Sequence, residues 1–181
     1  ISFEEIKGKI TKVESNWIFG LLLVAVGFYF FDRPFFEIDR LWLALNDEQL
    51  PDLGIKYFQY DSALLFEIAG ILLIAPFFEE LLFRRIAFRE LLRKYSFWPA
   101  LLVSSVLFSS IHLPNYYNLL PTFFSGIAYG LSYYWSGNIL YSMGLHFLQN
   151  TLYILHNLYG RQLDNFMEEI GYGLIYWLMF L

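Results

Sequence analysis

The sequence predicts an all-α fold, a polytopic transmembrane helix bundle of about six spans, and three observations carry that expectation. Hydrophobic residues make up 57% of the 181 positions and charged ones 16%, with a mean hydropathy of +0.46. Soluble domains carry about 25% charged residues. The apolar residues fall in blocks of helix length, long enough to cross lipid. Short polar turns with Gly and Pro separate the blocks. One domain is expected over 1–181. It divides into 1–61, an N-terminal span with a polar connection; 62–159, the helices that carry the chemistry; and 160–181, a C-terminal span.

Composition also excludes. A net charge of −5 offers no basic surface for nucleic acid. With no cysteine there is no disulfide, no thiolate nucleophile and no Cys-based zinc site. The chain starts at Ile1 and is still apolar at Leu181, so both ends read as trimmed, and the lack of a signal peptide carries no meaning.

Residues 1–15 form a polar lead-in with Lys7, Lys9 and Lys12, and residues 17–31 form the first span, edged by Trp17 and by Asp32-Arg33-Pro34. Residues 32–61 read as a polar connection over the bundle; an interfacial helix at 35–42 is the second reading. Residues 62–94 are helical throughout and would reach roughly 48 Å, against a hydrocarbon core of about 30 Å. The end bearing Arg84, Arg85, Arg89, Arg93 and Lys94 must therefore leave the lipid, and Pro76 is expected to kink or break the helix. Residues 97–113 make the third span, opened by Trp98-Pro99. After a turn at 114–118, the fourth span covers 119–135, with Gly126 and Gly130 spaced for close helix packing. Ser136-Gly137-Asn138 is a tight turn, 139–159 the fifth span and 166–181 the sixth. The distribution of Lys and Arg places the N-terminus in the cytoplasm.

The stretch Pro76-Phe77-Phe78-Glu79-Glu80-Leu81-Leu82-Phe83-Arg84-Arg85 carries the most chemical information. A charge at bilayer depth costs about 2.5–3.5 kcal/mol on insertion scales, so such residues are seldom idle. Counted from the turn near Ser96, Glu79 and Glu80 lie about as far back as His112 lies forward, roughly 24 Å by helical rise. The basic tip must protrude, which puts that level about 15 Å below the surface; His146, about 13 Å beyond the Gly137 turn, and Asn150, one turn deeper, match it. Five polar residues on three helices thus share one level. Glu80 and Arg84, four apart, are spaced to pair on one helix face. Glu79 projects elsewhere, in an apolar setting suited to a general base. A histidine opposite it would orient a shared water, and a second histidine with an asparagine would donate to an oxyanion.

Taken singly, an intramembrane His or Asn is as readily interhelical glue. The shared depth of the five is what packing alone does not require. His156, near a helix end and off the His146 face, reads as structural; Glu67 reads as interfacial, and Arg89, Arg93 and Lys94 as a solvated, topology-setting face. His-Glu-x-x-His, Gly-x-Ser-x-Gly and a pair of intramembrane aspartates are absent, with every Asp assigned to a polar connection.

Glu79-Glu80-x-x-x-Arg84, Phe108-x-x-x-His112 and His146-x-x-x-Asn150, in that order, resemble the three motifs of the CPBP family. That family takes in type II CAAX prenyl proteases and bacteriocin-processing or Abi-type proteins. The resemblance spans about residues 75–155. It implies an intramembrane endopeptidase acting on a membrane-associated peptide or protein within the lipid bilayer. By position, Glu79 and His112 would activate water, His146 and Asn150 would hold the oxyanion, and Glu80 and Arg84 would support the site. A metal-free mechanism without cofactor is favoured. A divalent metal such as zinc on Glu79, His112 and His146 is the alternative. The short chain suits a prokaryotic cell-membrane member, so recognition of a prenyl group is not assumed. A non-enzymatic scaffold, such as a bacteriocin-immunity factor, and a proton-coupled transporter are the competing classes.

Overall fold

Each apolar block folds into a helix, and the polar turns set the direction of the next. The computed structural model describes residues 15–36, 63–113 and 115–170, with Asn46 and Leu178. α1 is Ser15–Phe36. α2 joins five stretches end to end: Leu64–Ala69, Gly70–Ile74, Ala75–Glu80, Leu81–Phe88 and Arg89–Leu92. The junction residues Gly70, Ala75, Leu81 and Arg89 keep right-handed helical dihedrals, so the five are one continuous helix. Gly70–Ile74 and Leu81–Phe88 are π-helical. α3 is Phe97–Ser110, α4 Leu119–Ser136, α5 Ile139–Tyr159 and α6 Arg161–Ile170; a 3-10 turn, Tyr116–Asn118, precedes α4. No strand occurs among the described residues.

Pro76 neither breaks α2 nor ends it. In a regular α-helix its ring would meet the carbonyl one turn back, that of Leu72. A π turn sits at that point, where the Ala75 N–H reaches five residues back to Gly70 O. The wider turn accommodates the ring without interrupting the helix.

Side-chain contacts fix the helix directions. Trp17 meets Tyr141 with centroids 5.0 Å apart, and Tyr29 reaches His156, so α1 and α5 run parallel. Phe83 on Phe108 and Phe88 on Phe97 make α2 and α3 antiparallel. The α4–α5 hairpin turns at Gly137, whose φ of 65° is a left-handed conformation that a residue with a Cβ resists. Asn138 then caps α5 by accepting from the Leu140 N–H. The start of α1 and the basic turn after α2 consequently lie at the same end of the bundle.

The bundle is apolar outside, and its interior mixes polar with apolar side chains. On α3 the inward face carries Ala100, Leu101, Ser104, Ser105, Phe108 and Ser109, while Leu102, Val103, Val106 and Leu107 point out. Ser104 and Ser105 donate to the Leu101 carbonyl, which lets small hydroxyls line the interface without unpaired donors. Leu65, Phe66, Leu73 and Phe78 on α2 are exposed, whereas Glu80 and Arg84 are fully buried. This distribution suits a bundle solvated by lipid, where small residues rather than large apolar ones mediate helix contact. Of the described helices, only the segment Trp17–Phe35 is long and apolar enough by itself to cross a membrane, and Phe97–Ser110 is apolar but shorter. α4 and α5 have the length; their inward polar faces lower their hydropathy.

Three boundaries differ from the sequence reading. Asp32, Arg33 and Pro34 lie inside α1 rather than beyond it, and Asp32 is buried against Ser125 of α4. Not every Asp is therefore in a polar connection. Arg84 does not leave the bundle with Arg85, because Glu80 retains it. Residues 1–14 of the polar lead-in, the connection at 37–62 apart from Asn46, and 171–181 of the sixth span apart from Leu178 lie outside the described residues. Residues 166–170 of that span belong to the polar helix α6.

Gly126 and Gly130 do bring α4 onto α3, as their spacing predicts. A Cβ at Gly126 would sit 3.1 Å from Cα and Cβ of Ser105, and one at Gly130 2.4 Å from Cδ1 of Leu101. The contact at Gly126 is partly with backbone, which cannot swing away. Gly126→Leu is expected to cost about 1–3 kcal/mol by overpacking, read as a lower thermal midpoint in lipid nanodiscs. Gly27→Ala on α1, where nothing lies within 4 Å, should leave the midpoint unchanged or raise it.

Candidate active site

Glu80 is the most constrained group in the bundle. One turn along α2, Arg84 Nε donates to its Oε2 at 3.0 Å, both side chains being fully excluded from solvent. From α5, Ser142 Oγ donates to the same oxygen, and His146 Nδ1 lies 3.1 Å from Oε1. Three donors converge on one carboxylate, as a buried anion requires. The Arg84 guanidinium continues over the faces of Phe108 and Tyr129, 4.9 and 5.7 Å from their centroids, which draws α3 and α4 to the same point.

The carboxylate fixes the histidine. Ionised Glu80 can only accept, so His146 Nδ1 carries the proton and Nε2 is left on the opposite edge of the ring. That edge faces Glu79: Nε2 is 3.9 Å from Glu79 Oε2. The distance is too long for a direct hydrogen bond, and a third atom between them can lie within reach of both. The ring itself is held by stacking on Tyr129, centroids 4.6 Å apart at 17°, and by the edge of Phe108 at 5.8 Å. Tyr129 is anchored through its hydroxyl, which donates to Gln149 Oε1.

Glu79 and Glu80 therefore separate as their spacing suggests, one held by donors and the other not. Glu79 keeps 21% of its side chain exposed, and its Oε2 makes no hydrogen bond. His112 lies just beyond α3, its ring tilted at 58° to Phe108 with centroids 5.3 Å apart, and has Nδ1 3.2 Å from the Phe108 carbonyl. Both His112 and His146 are near enough to interact with the charge of Glu79. Asn150 joins the layer differently: its Nδ2 donates to the backbone carbonyl of Ile71 at 2.7 Å. No three His, Asp or Glu side chains among the described residues are grouped to hold a metal ion as they stand. Glu79, His112 and His146 would have to draw together to ligate one.

Three contributors escape the sequence reading. Ser142 stands one turn before His146 on the same face, so the i, i+4 rule applied backwards would find it. Tyr129 and Gln149 carry no such signal, because their roles depend on how α4 is rotated against α5.

His156 belongs to a second polar cluster, near the far end of α5. Arg33 Nη1 donates to its Nε2 at 2.8 Å, and its Nδ1 is 2.8 Å from the Tyr29 hydroxyl. Arg33 also pairs with buried Asp164 of α6. Both ring nitrogens are engaged, in keeping with the structural role expected of His156.

Removal of one partner of the buried pair is expected to be severe, since it leaves the other charge uncompensated. Arg84→Met should destabilise the protein by about 3–5 kcal/mol. Adding Glu80→Gln should recover part of the loss, and a double-mutant cycle of thermal midpoints in nanodiscs measures the coupling.

Comparison with known proteins places these residues in a family. Residues 61–152 match the family described as type II CAAX prenyl endopeptidase, Rce1-like. Over 93 residues, 48% of this chain, the sequence is 31% identical to the membrane-embedded CAAX protease MroQ of Staphylococcus aureus (strain USA300), of which the alignment covers 37%. No solved structure matches the chain. Glu79, Glu80, Arg84, His112, Tyr129, Ser142, His146 and Asn150 all fall within the matched region. The all-helical bundle with this buried glutamate–histidine core is a membrane protein, and the chain belongs to the Rce1-like family of type II CAAX prenyl endopeptidases.

Proposed function

We propose that this protein is an intramembrane endopeptidase in which Glu79 is the general base that activates water against a peptide bond. The observation that carries the proposal is the facing pair Glu79 Oε2 and His146 Nε2, 3.9 Å apart, with one side free of hydrogen-bond partners and the other braced by Glu80. Family membership supports the reaction class.

Glu79 removes a proton from water as the oxygen attacks the scissile carbonyl carbon. His146, having taken up a proton from solvent at Nε2 before the attack, donates from Nε2 to the oxyanion while Nδ1–H stays on Glu80. This arrangement matches the carboxylate–imidazole logic of hydrolytic triads, in which the carboxylate orients and stabilises the imidazolium without reacting. Collapse of the intermediate breaks the C–N bond, and Glu79 returns its proton to the leaving amine. His112, within electrostatic reach of Glu79, orients the same water. Glu80 and Arg84 hold the site and do not touch substrate. A carboxylate base in general acid–base catalysis contributes about 10²–10⁴-fold.

The substrate is a membrane-associated peptide or protein reaching the site through the bilayer, with no prenyl group required. Helices α1–α5 cross the membrane in alternation, and the end bearing the start of α1 and Arg89, Arg93 and Lys94 is cytoplasmic by the positive-inside rule. The setting is a prokaryotic cell membrane, and no cofactor or metal is needed.

Glu79→Gln is expected to lower kcat by about 10²–10⁴-fold towards a quenched-fluorescence peptide anchored in the nanodisc by an acyl chain, with the thermal midpoint unchanged. Undiminished cleavage would refute the base. Treatment with EDTA or 1,10-phenanthroline should leave cleavage intact; loss that zinc restores would instead place a metal on Glu79, His112 and His146.

A further inference from the structure

Glu80 is gripped twice by the same neighbouring helix. Ser142 and His146 stand four apart on α5 and share a face. Ser142 Oγ donates to Oε2, and His146 Nδ1 lies 3.1 Å from Oε1. Each oxygen of the carboxylate thus has its own partner on α5. Arg84 does not supply this second point. It reaches Oε2 from α2 itself, through Nε, while Nη1 and Nη2 make no hydrogen bond and the guanidinium lies over Phe108 and Tyr129. A contact within one helix does not fix how that helix sits against another.

The torsion that turns a glutamate carboxylate is broad, so one hydrogen bond from α5 would leave its plane loosely set. The second donor removes that freedom. Ser142 is itself fully buried, and its Oγ lies 3.1 Å from the Tyr129 carbonyl of α4. A hydroxyl has one proton, and an ionised carboxylate holds it more strongly than a neutral carbonyl. The carboxylate plane is then fixed against α5 by two bonds and against α2 by Arg84. This bears on the chemistry because Glu79 rides on α2 and His146 on α5. The 3.9 Å between Glu79 Oε2 and His146 Nε2 is a distance between those two helices.

We infer that Ser142 is a positioning residue: with His146 it completes a two-point grip of α5 on the Glu80 carboxylate, and this grip sets where His146 Nε2 stands against Glu79. The inference rests on the proposed roles of Glu79 and His146, and it gives Ser142 no contact with substrate.

Ser142→Ala removes the hydroxyl, and Ser142→Cys keeps a side chain of similar bulk with only a weak donor. Both are compared in nanodiscs with wild type and with Ser104→Ala, which removes a buried α3 hydroxyl that serves the Leu101 carbonyl. The readouts are kcat and KM on the acyl-anchored peptide, the thermal midpoint and the Nδ1–H resonance of His146. The chain has three histidines, so isotope-labelled histidine gives few imidazole lines, and His112→Gln and His156→Gln assign them by elimination. Ser142→Ala is expected to lower kcat about 10- to 100-fold and leave KM within about twofold. It should also move the His146 Nδ1–H resonance upfield, as a longer bond to Glu80 requires. Ser142→Cys should follow alanine, and Ser104→Ala should leave kcat and the resonance unchanged. A cysteine variant that behaves as wild type would overturn the inference, since filling the space would then suffice. Unchanged kcat and resonance in Ser142→Ala, whatever the midpoint does, would overturn it, as would an equal fall of kcat in Ser104→Ala. A downfield resonance would overturn it too, since the hydroxyl would then only draw charge from the carboxylate. If even wild type fails to cleave the peptide, the protease reading falls, while the resonance still decides whether Ser142 holds the bond between Glu80 and His146.

Discussion

The architecture depends on one buried carboxylate. Glu80 is fully excluded from solvent in a bundle whose surface is apolar, so its charge must be met by protein. Arg84 meets it from the same helix, and Ser142 and His146 meet it from α5. Arg84 in turn lies over Phe108 of α3 and Tyr129 of α4. Four helices are thereby referred to a single anion. A buried pair of this kind adds little net stability compared with well-packed apolar residues, while breaking it is costly. Its value here lies in specificity: only one rotation of α2 and one of α5 satisfies all three donors.

Lipid explains why such a device is needed. Apolar side chains gain nothing by leaving lipid tails for a protein interior, so helices associate through close packing and polar contacts. Ser104 and Ser105, each bonded to the Leu101 carbonyl, offer a narrow surface with no unmet donor. Gly126 and Gly130 let α4 approach that surface within van der Waals contact. Close approach sets the spacing of α3 and α4, and the Glu80 cluster sets their azimuth.

Much of this was legible in the sequence, and the remainder was hidden for identifiable reasons. The helical blocks, the Gly137 turn, the i, i+4 pairing of Glu80 with Arg84 and the contrast between Glu79 and Glu80 follow from hydropathy and helical periodicity. The level shared by Glu79, Glu80 and His146 follows from counting rise along two hairpins. Tyr129 is one of 14 tyrosines, and nothing in its neighbourhood marks the one that stacks on His146. Such stacking depends on the mutual rotation of two helices, which rise does not encode. The reach of α1 was underestimated because Asp32-Arg33-Pro34 resembles a helix exit. In the fold Asp32 is shielded by Ser125 and Arg33 by His156 and Asp164, so the helix continues. The π turn Gly70–Ile74 was invisible because Pro76 admits a kink, a break or a widened turn, and residue types alone do not choose among them.

His146 and His156 show how α5 separates reactivity from structure with the same side chain. At His156, Nε2 lies 2.8 Å from Arg33 Nη1 and 3.3 Å from Asp164 Oδ2, and Nδ1 is met by Tyr29. Both edges of that ring are closed, and the residue ties α1 to α5. At His146 a single edge is closed, by Glu80, and the other faces Glu79 across 3.9 Å. The residue types that surround the two rings are similar: a carboxylate, an arginine and a tyrosine stand near each. What differs is the position of the arginine, which in the first case lies on the ring and in the second lies behind the carboxylate. Arg84 compensates Glu80 without occupying His146, and so leaves Nε2 directed at the one buried carboxylate oxygen of the layer that has no hydrogen bond. Composition alone does not make this site. The order in which charge is handed from Arg84 to Glu80 to His146 does, and that order is set by a four-residue spacing on α2.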